Sequence, residues 1–430
     1  MHIYFLLIRL AALLGNQKAK LLLNGQANTL RILRQAPPEM WKDGIWFHAA
    51  SVGEFEQARP IIEVLNAPTA ALKDRCAEGP TASERPKIIL TFFSPSGYEM
   101  RKNYDKADGV FYLPFATRRN AKEFLDLVQP KMAIFVKYEF WPAYLKELNK
   151  RAIPTYIISA IFRKNQLFFQ PWGKPYRNLL HCFTKLFVQD ENSKQLLAQY
   201  GIQNVEVTGD TRFDRVSAIA QVPKDIPFVD RFAERPPSAE RLAAPVRYKI
   251  LIAGSTWPED EQLLARYIEE RPEVKLVLVP HEIDEEHMHR IFEIFKGKLV
   301  RYTEANPMSI SHTRVLVVNT MGLLSSIYRY ADIAYIGGGF GAGIHNTIEA
   351  AVYGIPVLFG PKHEHFREAK GLIAAGAAYG IRNYDDLRNR LDEAFDNQTT
   401  MGTKAKAYVE SECGATKAIL DSLKLKVERS

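Results

Sequence analysis

Beyond Trp41 the apolar positions gather into short unbroken runs separated by stretches of mixed, helix-like spacing. Residues 45–49, 87–92, 133–136, 155–158, 185–188 and 205–207 read as buried strands with helices between them, the first from Phe55 to Leu65. A second series follows at 249–253, 274–279, 315–318, 333–336 and 356–359. Strand, turn, helix and strand in repetition predict right-handed βαβ units and parallel sheets. Between the series, residues 221–247 carry several prolines and charges with little periodicity and predict a linker; residues 67–87 predict a surface insertion. The expected organisation is a helical segment at 1–40, an α/β domain at 41–220, the linker, a second α/β domain at 248–405 and a terminal helix at 406–430. Two such domains imply a cleft, and ligands of open parallel sheets bind beyond the carboxyl ends of the strands.

Residues 1–14 form an apolar run broken once by Arg9, followed by Lys18-Ala19-Lys20 and Leu21-Leu22-Leu23. The run is short of the roughly 20 residues that span a bilayer. Lysines beside apolar bulk suit a helix lying in a membrane interface; a helix docked on its own domain is the plainer reading.

Composition narrows the class. With 430 residues, 47% hydrophobic and 25% charged, the chain is globular and long enough for two or three domains. The net charge of +8 is modest and mixed with many acids, which fits a phosphate-bearing or anionic-membrane partner better than nucleic acid. Cys76, Cys182 and Cys413 are odd in number and far apart, so neither a disulfide framework nor a zinc site is expected.

The residues just after each strand carry the chemistry. Ser51-Val52-Gly53-Glu54 places a carboxylate at a helix start, where it can accept a proton from a hydroxyl or merely cap the helix. Glu139, in Lys137-Tyr138-Glu139-Phe140-Trp141-Pro142, is costly to bury unless paired, with Lys137 one candidate partner. Gly254-Ser255-Thr256-Trp257 offers hydroxyls and amides suited either to a phosphate or to a plain helix cap. Ile336-Gly337-Gly338-Gly339-Phe340-Gly341-Ala342-Gly343, running into His345, Asn346 and Glu349, is the strongest nucleotide-binding signal, although it lacks a P-loop ending. Asn346 and Glu349, three apart, share a helix face and could hold a ribose. Arg163, Lys164, Lys174 and Arg177 alternate with aromatics in a way that suits an amphiphile with phosphate heads.

Taken in order, these segments together with Thr208-Gly209-Asp210-Thr211-Arg212-Phe213-Asp214 and Asn319-Thr320-Met321-Gly322 resemble the 3-deoxy-D-manno-octulosonic acid (Kdo) transferases of Gram-negative lipid A synthesis. The resemblance runs from the amino-terminal apolar segment to about residue 380. It implies a GT-B fold whose first domain takes a lipid A precursor and whose second takes CMP-Kdo. Glu54 is implied as the general base and Glu139 as its supporting carboxylate. Asn346 and Glu349 are implied nucleotide contacts, with Gly254, Ser255, Thr256, His281, Thr320, Met321 and Gly322 nearby. Ser51, Gly53, Arg163, Lys164, Lys174 and Arg177 would meet the acceptor. The chain departs from the family pattern at Lys137, where an acid is common, at His281-Glu282, where Arg-His is common, and at Gly25-Gln26, where Gly-Arg is usual.

An inverting displacement without cofactor or metal is expected, on the cytoplasmic face of the inner membrane, by a peripheral or monotopic protein with no nucleic-acid partner. Another GT-B transferase acting on a lipid acceptor, and a non-catalytic lipid-binding adaptor, are the competing readings.

Overall fold

Alternate residues of a strand face opposite sides of its sheet. In β1 (Ile45–Ala49) every residue is buried, and its two faces enter different cores: Ile45, Phe47 and Ala49 join one cluster and Trp46 the other. A strand covered on both faces belongs inside a parallel sheet with helices above and below. The computed structural model describes residues 2–66, 85–226, 229–233, 247–306 and 310–425. Most of the expected insertion at 67–87 and part of the expected linker at 221–247 lie outside the described residues.

The chain divides into two compact units, Met1–Arg215 with Cys413–Ser430, and Val216–Glu412. In the first, β1, β2 (Ile88–Phe92), β3 (Gly109–Tyr112), β4 (Met132–Val136), β5 (Thr155–Ala160), β6 (Lys185–Val188) and β7 (Val205–Val207) form a parallel sheet in the order β3-β2-β1-β4-β5-β6-β7. In the second, β8 (Lys249–Thr256), β9 (Val274–Pro280), β10 (Val300–Arg301), β11 (Val315–Val317), β12 (Ile333–Ile336), β13 (Val357–Phe359) and β14 (Ala378–Gly380) take the order β10-β11-β9-β8-β12-β13-β14. Both orders reverse beside the unit's first strand, between β1 and β4 and between β8 and β12; in the second sheet β11 also turns back to lie between β9 and β10. At such a reversal the connections leave to opposite sides and open a crevice beyond the strand ends.

Three strands, β3, β10 and β14, have no counterpart among the predicted runs. All lie at sheet edges and are only partly buried, so their sequences lack a continuous apolar stretch. At the carboxyl end, two helices, Gln398–Glu412 and Ala415–Ser422, stand where one was expected. Gly414 breaks them with φ +112, a conformation that suits glycine. The last helix returns to the first unit: Ile419, Leu420 and Leu423 enter its core, and the Asp214 carboxylate accepts the amides of Gly414 and Thr416, each at 2.6 Å.

The amino-terminal segment forms helices His2–Leu13 and Gln17–Gln35, the second capped by the Asn16 side chain. Leu22 and Leu33 face the first unit, whereas Leu10 (51%), Leu13 (84%) and Leu14 (80%) stand in solvent. No helix among the described residues is long and apolar enough to cross a membrane.

Candidate functional site

In the first unit the chain leaves β1 through Ser51 directly into the helix Val52–Asn66, and leaves β4 through a turn in which Lys137 adopts φ +58. Both exits lie at the reversal point of the sheet. Glu54 Oε2 accepts the backbone N–H groups of Ala50 (2.7 Å) and Ser51 (3.2 Å), so it caps its own helix. It is also perturbed. Burial, then the negative charge of Glu139, pushes its pKa up to about 7, against the pull of those two amides and of Lys137. A carboxyl that titrates near neutrality suits proton transfer. An added Cβ at Gly53 would meet nothing within 4 Å, so the backbone beside Glu54 is open.

Glu139 is buried, and its Oε2 receives Trp141 Nε1–H at 2.5 Å and faces His48 Nε2 at 3.0 Å. Lys137 carries its ammonium 5.5 Å from the Tyr138 ring, and its charge acts on Glu54. Arg163 Nη1 donates to the Tyr138 hydroxyl at 3.1 Å, which ties it to the same corner. Arg177 donates to the carbonyls of Phe168 and Gln170 and stacks on Tyr200, holding its own loop together. Lys164 and Lys174 are exposed, as is Trp172 (67%). Ser51 is half-buried at the mouth of the helix.

In the second unit β8 ends on a bulge at Ser255, whose φ of +54 turns the strand toward the helix Pro258–Glu270. Gly254 lies against Tyr328, and a Cβ there would sit 2.0 Å from its hydroxyl. Gly337, just after β12, crosses the backbone of this bulge, where a Cβ would sit 2.3 Å from Ser255 O. Gly337→Ala therefore has to push β8 and β12 apart, at about 1–3 kcal/mol or more. We expect denaturant titration of the variant to show a stability loss of that size.

Asp260 welds the two strand ends together. Its Oδ2 accepts Trp257 N–H at 3.0 Å and Gly338 N–H at 2.9 Å, while Oδ1 accepts the Tyr335 hydroxyl at 2.7 Å. Thr256 does not cap the helix by its hydroxyl; it donates to Glu261, which is buried against His287. Beside them three rings stack: Trp257 on His281 (centroids 4.9 Å apart) and His281 on His345 (4.5 Å). Trp257 Nε1–H can only donate, so His345 Nε2, 3.3 Å away, accepts, and the ring's proton sits on Nδ1. Burial, then His281, holds the His345 pKa down to about 4, keeping it neutral. Asn346 Nδ2 donates to Glu349 Oε1 at 2.9 Å and its Oδ1 accepts Ile348 N–H at 3.3 Å. Met321 is exposed, Gly322 has φ +81, Thr320 is half-buried, and the same loop runs on to Leu324, which packs on Gly254.

Sequence reasoning missed Asp260, Tyr328, Tyr335, Glu261 and His287 here, and His48 and Thr91 in the first unit. A Ser, Thr, Asp or Asn three residues ahead would have flagged Asp260 as half of a capping box, but Trp257 holds that position. Among the described residues, no group of three or more His, Cys, Asp or Glu side chains is placed to hold a metal ion.

A family profile described as 3-deoxy-D-manno-octulosonic-acid transferase (kdotransferase) matches residues 17–215. The 3-deoxy-D-manno-octulosonic acid transferase of Haemophilus influenzae is 26% identical over 419 residues, covering 92% of this chain and 88% of its own. That of Bordetella pertussis is 27% identical over 402 residues, covering 88% and 86%. Among solved structures, the UDP-GlcNAc 2-epimerase of Neisseria meningitidis superposes with TM-score 0.58 at 15% identity, over 89% of this chain and 100% of that one. MurG of Acinetobacter baumannii gives 0.52 at 13%, also over 89% and 100%. At such identities the structures speak for the fold alone, which is α/β of the GT-B class. Family profile and relatives that cover most of the chain agree: the chain is similar to the 3-deoxy-D-manno-octulosonic acid transferases.

Proposed function

We propose that the protein transfers Kdo from CMP-Kdo to a hydroxyl of a lipid A precursor, with inversion, in lipopolysaccharide synthesis. The observation that carries this reading is Glu54, a partly buried carboxyl titrating near 7 at the strand reversal of the first unit. Its carboxylate takes the acceptor hydroxyl's proton as that oxygen bonds to the anomeric carbon of Kdo. The bond from that carbon to the phosphate oxygen breaks, and CMP leaves with the electron pair. Glu139 keeps its neighbour basic by its negative charge. In the second unit, the Gly254–Thr256 bulge, the loop Thr320-Met321-Gly322 and the ring stack with His281 surround the proposed cytidylate phosphate. Asn346 and Glu349 hold the ribose. An imidazole at 281 gives up the permanent charge and forked donors of an arginine, so donor binding here leans more on backbone amides.

Arg163, Lys164 and Lys174 are proposed to meet the acceptor's phosphates, Arg163 from beside Tyr138. Arg177, committed to its own loop, would contribute by shaping that loop. The exposed leucines of the first helix, with Arg9, Lys18 and Lys20 nearby, support a peripheral seat on the cytoplasmic face of the inner membrane. Burying a leucine is worth about 1.5–3 kcal/mol. Leu10→Glu with Leu13→Glu should thus lower affinity for anionic vesicles about 100-fold or more in flotation assays. Unchanged flotation would remove these leucines from the membrane contact.

The direct test is incubation with a tetraacylated lipid A precursor and CMP-Kdo, followed by mass spectrometry of the lipid. A Kdo adduct, inhibited by CMP and not by UDP, is the expected result. Vesicle binding without an adduct would favour an adaptor, and inhibition by UDP another sugar donor.

A further inference from the structure

We propose that His48 is a positioning residue whose donated hydrogen bond keeps Glu139 an anion beside Glu54; this rests on the reading of Glu54 as the base. His48 lies mid-strand in β1, fully buried, opposite Thr91 of β2 and Phe135 of β4. Its run of apolar neighbours makes it look like a core histidine, yet both ring nitrogens are engaged. Nδ1 is 2.9 Å from Thr91 Oγ1, and Nε2 is 3.0 Å from Glu139 Oε2.

An indole stands at each end of this chain, and an indole N–H only donates. Trp46 Nε1–H donates to Thr91 Oγ1 at 2.8 Å, so that oxygen is an acceptor at this end. The threonine's own proton then has two acceptors within reach, His48 Nδ1 at 2.9 Å and Phe47 O at 3.3 Å. Oγ1 has a second lone pair and could also accept from Nδ1, so the direction is set at Glu139, where a carboxylate oxygen that already accepts an indole N–H faces Nε2 and calls for the imidazole proton there. At the far end Trp141 Nε1–H donates to the same carboxylate oxygen at 2.5 Å. The opposite tautomer, with Nδ1–H on Thr91 O at 3.2 Å, would set a lone pair against that oxygen. Two N–H groups converging on one oxygen stabilise the carboxylate over the acid.

The charged and titratable groups facing this corner are few. Lys137 and Tyr138 come from the turn after β4, Arg163 reaches Tyr138 from the segment after β5, Arg212 acts on Tyr138 from the helix after β7, and Glu54 comes from the helix after β1. Glu139 is the acid among them that acts on Glu54, and Lys137 opposes it. Two carboxyls with divided roles result: one holding two N–H donors at the end of a relay across β2, β1 and the turn after β4, the other left basic by its neighbour.

The test compares His48→Leu and His48→Gln in the full chain. Each is read by the pH midpoint of single-turnover Kdo transfer and by 13C-carboxyl NMR titration of Glu54, assigned by its loss in Glu54→Gln. In His48→Leu, Glu139 loses a donor and takes up a proton more readily. The Glu54 midpoint should move down by about one unit and turnover should fall about tenfold. His48→Gln, whose amide can reach the same oxygen, should restore both. A folded His48→Leu protein with an unmoved Glu54 midpoint overturns the proposal. Should His48→Leu not fold, Trp141→Phe removes the other donor; it should move the midpoint the same way, and an unmoved midpoint again overturns the proposal. The NMR reading stands whether or not Glu54 is the base, so failure of that assignment shows separately, as near-normal turnover in Glu54→Gln.

Discussion

Glu54→Gln is expected to cut Kdo transfer by about 10²–10⁴-fold, the usual worth of a general base, while leaving CMP affinity unchanged. The amide cannot accept the hydroxyl proton, but its oxygen can still take the amides of Ala50 and Ser51, so the helix start stays capped. The groups proposed to hold CMP all belong to Val216–Glu412, whereas Glu54 lies in the other unit. The same substitution should stabilise the fold. With its folded pKa raised from 4.5 to about 7, Glu54 binds its proton more tightly when folded, so stability falls as pH climbs through that window. Above the window the ionised group costs on the order of 2 kcal/mol after allowing for partial exposure. Glutamine escapes that cost. Thermal melts should show the variant more stable than the parent at pH 8 and level with it below pH 4.5. A variant no more stable at pH 8 would mean the carboxyl is not held in an unfavourable place.

Asp260→Ala is expected to have the largest effect in the second unit. The carboxylate is buried, its affinity for a proton raised by that burial, and three donors from three places converge on it. Removing it strands the amides of Trp257 and Gly338 and the Tyr335 hydroxyl. An unsatisfied buried donor costs about 1–3 kcal/mol, so a loss of roughly 3 kcal/mol or more is expected in denaturant titration. The β8 bulge and the glycine turn after β12 lose their common tie, and CMP affinity should fall more than about tenfold. Asp260→Asn keeps an acceptor for the two amides, and the Tyr335 hydroxyl can turn to accept, so it should recover most of the stability. An alanine variant with parental stability and CMP affinity would show that Asp260 does not organise this turn.

How far the sequence foretold these sites follows from burial. Central strands such as β1, β4, β8 and β12 are covered on both faces and stand out as apolar runs. Residues that immediately follow them, Glu54, Glu139, Gly254 and Gly337, were visible for that reason. The edge strands β3, β10 and β14 needed no such run and were invisible, whereas the edge strand β7 still showed as Val205-Glu206-Val207. Partnerships were harder. Lys137 neighbours Glu139 in sequence, but the partners that hold Glu139's oxygen are His48, 91 residues earlier, and Trp141. A histidine inside Ile45-Trp46-Phe47-His48-Ala49 gives no local sign of which residue it will meet across the sheet. Likewise Asp260 reads as one of three acids opening a helix, because its partners Tyr335 and Gly338 arrive from β12 and beyond.

The pH dependence of single-turnover Kdo transfer, with the protein saturated in CMP-Kdo and a lipid A precursor, tests the role of Glu54 most directly. The rate should rise tenfold per unit at low pH and level off with a midpoint near 7, where the Glu54 carboxyl loses its proton. A rate that is flat from pH 5 to 8, about two units below to one above that midpoint, would show that no such carboxyl takes the acceptor's proton.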